Sequence, residues 1–153
     1  MQNHNYSSPG CYFVTICTKN RDELLGEIVD TSGFPTMNLS TLGVILEKKI
    51  TAFENRYPHI QILKYVIMPN HFHMIVRIRS HPDKVYLPSG ANNELSKFIS
   101  VLKRSCNHEY MGNIWQRSYN DHIIRDKNEY LKISKYIENN TIHWYNDCFY
   151  NAN

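Results

Sequence analysis

The sequence predicts an α+β domain in which an antiparallel sheet carries its helices on one face. Three observations carry that expectation. The elements run strand, helix, strand, strand, helix, strand, helix. Two of the strands are joined at Met68-Pro69-Asn70 as a central hairpin. The second of them alternates: Phe72, Met74, Val76 and Ile78 make an apolar row, while His71, His73, Ile75, Arg77 and Arg79 point the other way. With the helices gathered on the apolar side, the histidine face is expected to be open.

The 153 residues are expected to form one domain, long enough for a real core, with residues 1–10 as a loose arm. Tyr12–Thr18 is β-branched and aromatic, and reads as the first strand. Residues 19–38 hold turn signals (Ser32-Gly33, Phe34-Pro35) around a short extra strand at Glu27–Val29. Ser40 can cap a helix whose apolar positions are Leu42, Ile45, Leu46, Ile50 and Phe53, ended by Tyr57-Pro58. The hairpin occupies 60–68 and 71–79, and 80–92 reads as a surface loop. A second helix follows from Leu95, Phe98, Ile99 and Leu102, with Lys97, Lys103 and Arg104 off its stripe. Ile114–Gln116 and His122–Arg125 are short strand candidates. Asp126-x-x-Glu129 opens a third helix as a variant capping box, with Tyr130, Ile133 and Ile137 apolar. The tail, 141–153, carries Trp144, Tyr145, Phe149 and Tyr150, suited to a last strand or to stacking on a ligand.

Composition narrows the class. A formal charge of +3 gives no polyelectrolyte character, so a nucleic-acid surface must come from local placement of Lys and Arg. The four cysteines lack C-x-x-C spacing and read as reduced thiols of a cytosolic protein rather than zinc ligands. No apolar run approaches a membrane span, and the polar N-terminus shows no secretory pattern.

His71 and His73 lie about 7 Å apart along one strand face, close enough for two imidazoles to converge on a cation. His-x-His alone is weak, because histidines at strand ends often only form hydrogen bonds. A second pair lies far downstream. Tyr136 and Asn140 are four residues apart on the third helix and so share a face, where a phenol and an amide oxygen point together.

Tyr65-Val66-Ile67-Met68-Pro69-Asn70-His71-Phe72-His73-Met74-Ile75-Val76 resembles the signature of HUH single-strand nucleases, specifically the single-tyrosine transposases of small bacterial insertion sequences. The runs Tyr12–Arg21, Trp115-Gln116-x-x-Tyr119-x-Asp121-His122-x-Ile124-Arg125 and Tyr136-Ile137-x-x-Asn140 are similar to the REP-associated tyrosine transposase branch, over residues 10 to 140. The resemblance implies a ferredoxin-like (RRM-like) sheet and a divalent metal, magnesium or manganese, held by His71, His73 and Asn140. It implies Tyr136 as nucleophile, forming a covalent 5′-phosphotyrosine during single-stranded DNA cleavage and strand transfer, with hairpin DNA as partner. Asn140 matches a helix residue that is glutamine in the insertion-sequence enzymes, and Asn140-Thr141 replaces the usual Asn-Pro. A cytoplasmic, nucleoid-associated bacterial protein is implied, and both a monomer and a homodimer remain open. Arg77, Arg79, Lys103, Arg104 and Arg125 are the DNA-contact candidates.

Phosphodiester chemistry suits these residue types. A cation must neutralise the phosphate oxygens before a nucleophile can approach. Magnesium prefers oxygen ligands, so a two-histidine site should accept manganese at least as well. A tyrosine ester conserves the bond energy for rejoining. Each role has a structural alternative: hydrogen-bonded strand-end histidines, a helix-flank tyrosine, an Asn140 that caps its helix, an ion pair for Asp121, His122 and Arg125, and solvated surface cations. Tyr119 and Tyr130 are competing nucleophiles. Competing functions are a non-catalytic single-strand-binding module, an HUH replication-initiator endonuclease, which would carry lysine where Asn139 stands, and a metal hydrolase using water.

Overall fold

A computed structural model describes residues 10–79 and 94–146. The expected arm before Gly10, the loop at 80–92 and the tail beyond Asn146, with Phe149 and Tyr150, lie outside the described residues. Among the described residues the elements are β1 (Gly10–Cys17), β2 (Gly26–Thr31), β3 (Phe34–Leu39), α1 (Thr41–Arg56), β4 (Ile60–Met68), β5 (His71–Ile78), α2 (Glu94–Tyr110), β6 (Asn120–Ile124) and α3 (Lys127–Glu138), with 3-10 turns at Lys19–Arg21 and Trp144–Asn146.

Strands β4-β5-β1-β6 form one sheet, antiparallel throughout. The α+β class and the central hairpin stand as expected. Tyr12, Val14 and Ile16 of β1 and Phe72, Met74, Val76 and Ile78 of β5 are buried against Leu42, Leu46, Ile50 and Phe53 of α1 and Leu95, Phe98, Ile99 and Leu102 of α2. Phe53 meets Phe98 edge-on at 5.1 Å where the two helices touch. Each such side chain contributes about 1.5–3 kcal/mol on burial, so this layer anchors the fold.

The helix starts are fixed by polar contacts. Ser40 Oγ accepts from Gly43 N at 3.1 Å and donates to Leu24 O at 2.7 Å. A Cβ on Gly43 would stand 2.2 Å from Leu25 O, so the first turn of α1 rests directly on the chain leaving β1. Asp126 Oδ1 accepts from Glu129 N at 2.8 Å, as the capping pattern predicts.

The connection after β1 holds more strand than expected. Ser32 (φ 56°) and Gly33 (φ 85°) make a two-residue turn, and Phe34–Leu39 returns along Gly26–Thr31 as a separate ribbon. Pro35 reads as a turn residue in sequence, yet it pairs with Asp30. A two-stranded ribbon has an outer edge on both strands, where proline is tolerated. Conversely, Ile114–Gln116 shrinks to a single bridge between Trp115 and Thr18.

The larger correction concerns the histidine face. Cross-strand register aligns Lys64, Ile75, Phe13 and His122 in one row across that face, and α3 lies over it. Lys64 on β4 donates to Ser134 Oγ at 2.8 Å and pairs with Glu138, while His122 on β6 pairs with Glu129. Two of the three helices cover the apolar face and the third crosses the opposite one. The face expected to be open is therefore roofed, because α3 has its own apolar edge at Ile137 to bury and α1 and α2 already occupy the other side.

Candidate active site

His71 is 0 % exposed and His73 2 % exposed, on the first turn-proximal residues of β5. Their rings stand 4.7 Å apart, edge to face. Each ring is pinned through Nδ1. His71 Nδ1 lies 2.8 Å from Asn70 Oδ1, and His73 Nδ1 lies 2.7 Å from Thr15 Oγ1, its cross-strand neighbour on β1. Asn70 Nδ2 donates to Arg21 O at 3.2 Å, which orients the amide so that its oxygen faces His71. An amide oxygen only accepts, so His71 carries its proton on Nδ1 and the lone pair on Nε2.

Burial sets the charge state. Desolvation first, and then the neighbouring His73, hold the His71 pKa down to about 2, with the Arg21 charge adding to the effect. Desolvation alone takes His73 down to about 3. Both imidazoles are neutral at any pH where the protein would act, which is the state in which a histidine can ligate a cation. Among the described residues there is no cluster of three His, Cys, Asp and Glu side chains that could hold a metal. The third group beside the histidines is an amide. Asn140 is buried next to His71 and opposes, weakly, the fall in that ring's pKa. Its Oδ1 makes no well-formed hydrogen bond, while its Nδ2 reaches Tyr136 O at 3.5 Å. The capping role and a place at the histidines therefore coexist in one side chain, the nitrogen serving the first and the oxygen available for the second.

Tyr136 stands over this group. Its ring centroid is 5.3 Å from that of His73 and 6.1 Å from that of Phe13, while 44 % of the residue remains exposed. One chain thus brings together Tyr136, Asn140, His71 and His73, four residues from a strand start and a helix end far downstream in the sequence. Of the rival tyrosines, Tyr119 packs against the hydrophobic core and Tyr130 is half-buried in α3.

The cations do not gather in the same way. Arg77 and Arg79 are exposed at the far end of β5, where Arg79 Nη2 donates to Gln61 Oε1 at 2.8 Å. Arg125 is exposed just beyond β6, and its backbone N–H donates to Glu129. Lys103 and Arg104 lie on α2, on the other side of the sheet, with Lys103 Nζ bonded to Gln116 O at 2.9 Å. The ion pair expected among Asp121, His122 and Arg125 does not form among the described residues: His122 Nε2 bonds instead to Glu129 on α3, and Asp121 Oδ2 is buried without a hydrogen bond.

Sequence reasoning missed four residues here. Thr15 and Asn70 orient the imidazoles, and the strand register that brings Thr15 to His73 is not written in either strand alone. Arg21 supplies the cation nearest in effect to His71, from a turn whose Asn20 and Arg21 both have positive φ (58° and 56°), a costly backbone for arginine. Trp144 is buried and stacks on His71 at 6.1 Å between ring centres. The aromatic tail did signal a stacking role, but for a ligand rather than for a histidine.

A sequence model for the family described as Transposase IS200 like matches residues 8–140. A Haemophilus influenzae protein, described only as uncharacterized, is 32% identical over 166 residues, covering 98% of this chain and 90% of its own. Among solved structures, the REP-associated tyrosine transposase bound to a REP hairpin matches with a TM-score of 0.64 at 22% identity, over 88% of this chain and 68% of that one. A putative transposase from Deinococcus radiodurans matches with a TM-score of 0.51 at 18% identity, over 86% and 91%. Both structures are alike in fold.

Proposed function

The chain belongs to the IS200-like transposase family, and from that premise we propose that it cuts and rejoins single-stranded DNA through Tyr136, using a divalent cation held by His71, His73 and Asn140. The observation that carries the reading is the edge-on contact of Tyr136 with His73 within one chain, at 5.3 Å between ring centres. It also favours a nucleophile acting on the site of its own chain.

The donor set fits a cation that keeps open positions. Both imidazoles are neutral, the His71 tautomer presents Nε2, and Asn140 adds an amide oxygen beside it. Such a cation, magnesium or manganese, would supply positive charge against the phosphodiester oxygens. The chain's own part is to orient and exclude. Asn70 and Thr15 hold the imidazoles, Trp144 and α3 keep water from their faces, and α3 presents the phenol. In the reaction the Tyr136 oxygen, having lost its proton to solvent at its exposed side, bonds to phosphorus as the bond to the 3′ oxygen breaks. The freed 3′ oxygen takes up a proton. The phosphotyrosine so formed is attacked by a 3′-OH, its own or another strand's, which restores a phosphodiester and releases Tyr136. A hairpin with single-stranded flanks is the substrate class proposed, by analogy with the DNA that the structurally similar REP-associated protein holds. A passive single-strand module would need an open sheet face with aromatic platforms. Here α3 occupies that face.

Removing one oxygen tests this. Tyr136→Phe should bind an end-labelled hairpin as the wild type does, while only the wild type yields a denaturation-resistant protein–DNA band in manganese. Cutting by wild type with no such band would make water the nucleophile, and an undiminished band from Tyr136→Phe would place the nucleophile elsewhere.

A further inference from the structure

Lys103 is half-buried on α2, and burial pushes its pKa down. Two of its three N–H donors go to carbonyls, Gln116 O at 2.9 Å and Ser118 O at 3.3 Å. Arg104 and Arg117 stand exposed beside it. None of these three cations belongs to an ion pair among the described residues. With Asn113, Trp115 and Gln116 they line an open groove of about 720 Å³, and no carboxylate lines it. Trp115 is 4 % exposed, and its indole N–H is buried without a hydrogen bond. A buried donor left in that condition is costly, and it adds no negative charge to the groove. The walls are therefore rich in donors and poor in negative charge.

The groove is tied to the histidine end of the sheet. Gln116 N donates to Cys17 O at 3.0 Å, and Cys17 is the cross-strand partner of His71. Trp115 bridges to Thr18, and its ring meets Phe72, the residue between the two histidines, at 5.5 Å. The groove opens on the α2 side of that end, whereas α3 and Tyr136 occupy the other.

We propose that this groove is a phosphate site, taking a backbone phosphodiester of the strand whose neighbouring segment lies at the histidines, with Lys103, Arg104 and Arg117 as its donors. The inference rests on the nucleic-acid reading above. It adds that the strand wraps the end of the sheet, touching both faces, and so is held at a distance from the scissile bond.

The test is fluorescence anisotropy of a fluorescein-labelled oligo(dT), in EDTA, over a sodium chloride series. Arg104→Ala/Arg117→Ala should weaken binding about tenfold and flatten the log–log salt slope by about 0.7–1.4, at about 0.7 per phosphate neutralised on a single strand. The charge-matched control Lys48→Ala/Arg56→Ala removes two exposed cations from α1 and should change affinity less than twofold. Equal losses from the two double variants would overturn the proposal. So would displacement of inorganic phosphate from the groove with no change in oligo(dT) affinity, which would make it a small-anion site only. Repeating the pair in a His71→Ala background separates the readings: a groove effect that persists there supports the groove whatever becomes of the metal site, and one that vanishes there overturns the groove as an independent anchor.

Discussion

From His71 to Val76, strand β5 is buried on both faces, for opposite reasons. On one side Phe72, Met74, Val76 and Ile78 sink into a layer of leucines, isoleucines and phenylalanines from α1 and α2. On the other, His71 and His73 are covered as completely, by Trp144, Tyr136 and the amide of Asn140. The apolar row gains free energy from burial. The histidine row loses its ability to take a proton, and gives up solvation to keep two lone pairs neutral and fixed in direction. One strand, through a period of two, carries the stability on one face and the proposed chemistry on the other.

The widest gap between the faces should appear when each is truncated. His71→Ala or His73→Ala should cut DNA cleavage by at least about a hundredfold, roughly 3 kcal/mol of transition-state stabilisation, with a folded far-UV spectrum and unchanged single-strand binding in EDTA. Phe72→Ala should instead remove about 3–5 kcal/mol of stability, read by urea unfolding. Loss of folding from the histidine variants, with cleavage retained by Phe72→Ala, would invert the assignment of the two faces.

Acid sharpens the contrast further. The folded histidines stay neutral down to about 2 and about 3, while in the unfolded chain they protonate near 6.5. Between those limits the unfolded state holds more protons, so stability rises with pH and is lost as pH falls below about 6.5. The two together give a slope approaching about 2.7 kcal/mol per pH unit in the middle of the window. Urea midpoints measured across it should show a shallower dependence in His71→Gln/His73→Gln. An identical slope in that variant would mean that the two rings do not stay neutral on folding.

The smallest effect is expected at the edge of the roof. Asp126→Ala removes the cap of α3 and should cost about 1 kcal/mol. Cleavage should fall severalfold while single-strand affinity holds, because the loss loosens Tyr136 and Asn140 but touches no phosphate contact. A parallel drop in affinity would show that α3 itself grips the strand.

The apolar face was legible in sequence and the roof was not. Phe72-x-Met74-x-Val76-x-Ile78 states its own burial, and Asp126-x-x-Glu129 marks where α3 begins. Tyr136 and Asn140 taken by themselves do not say over which face their helix will lie; only the family resemblance, which joins Asn140 to His71 and His73, implied it. That depends on α1 and α2 having taken the other one, which is a property of the whole chain. The same limit explains the histidines: alternation places them on one side, but their burial comes from residues 60 and more positions away. Pro35 misled for a local reason, since its meaning differs between a central strand and a two-stranded ribbon. Lys103 was singled out for its charge, and the structure gives it a second task, holding the carbonyls of the Gln116–Ser118 loop.

The attachment of α3 has a mechanical consequence. Its polar ties, Lys64 to Glu138 and His122 to Glu129, run to strands at the two edges of the sheet and lie at the surface, where such pairs contribute little. Few of its side chains are deeply buried, Ile137 among them. The histidines, by contrast, are rooted in the two central strands. For the proposed reaction the site would be a vice with one fixed jaw and one movable jaw: a 12-residue helix with few deep contacts would lift from the sheet at small cost, carrying Tyr136, while the bed beneath keeps its shape.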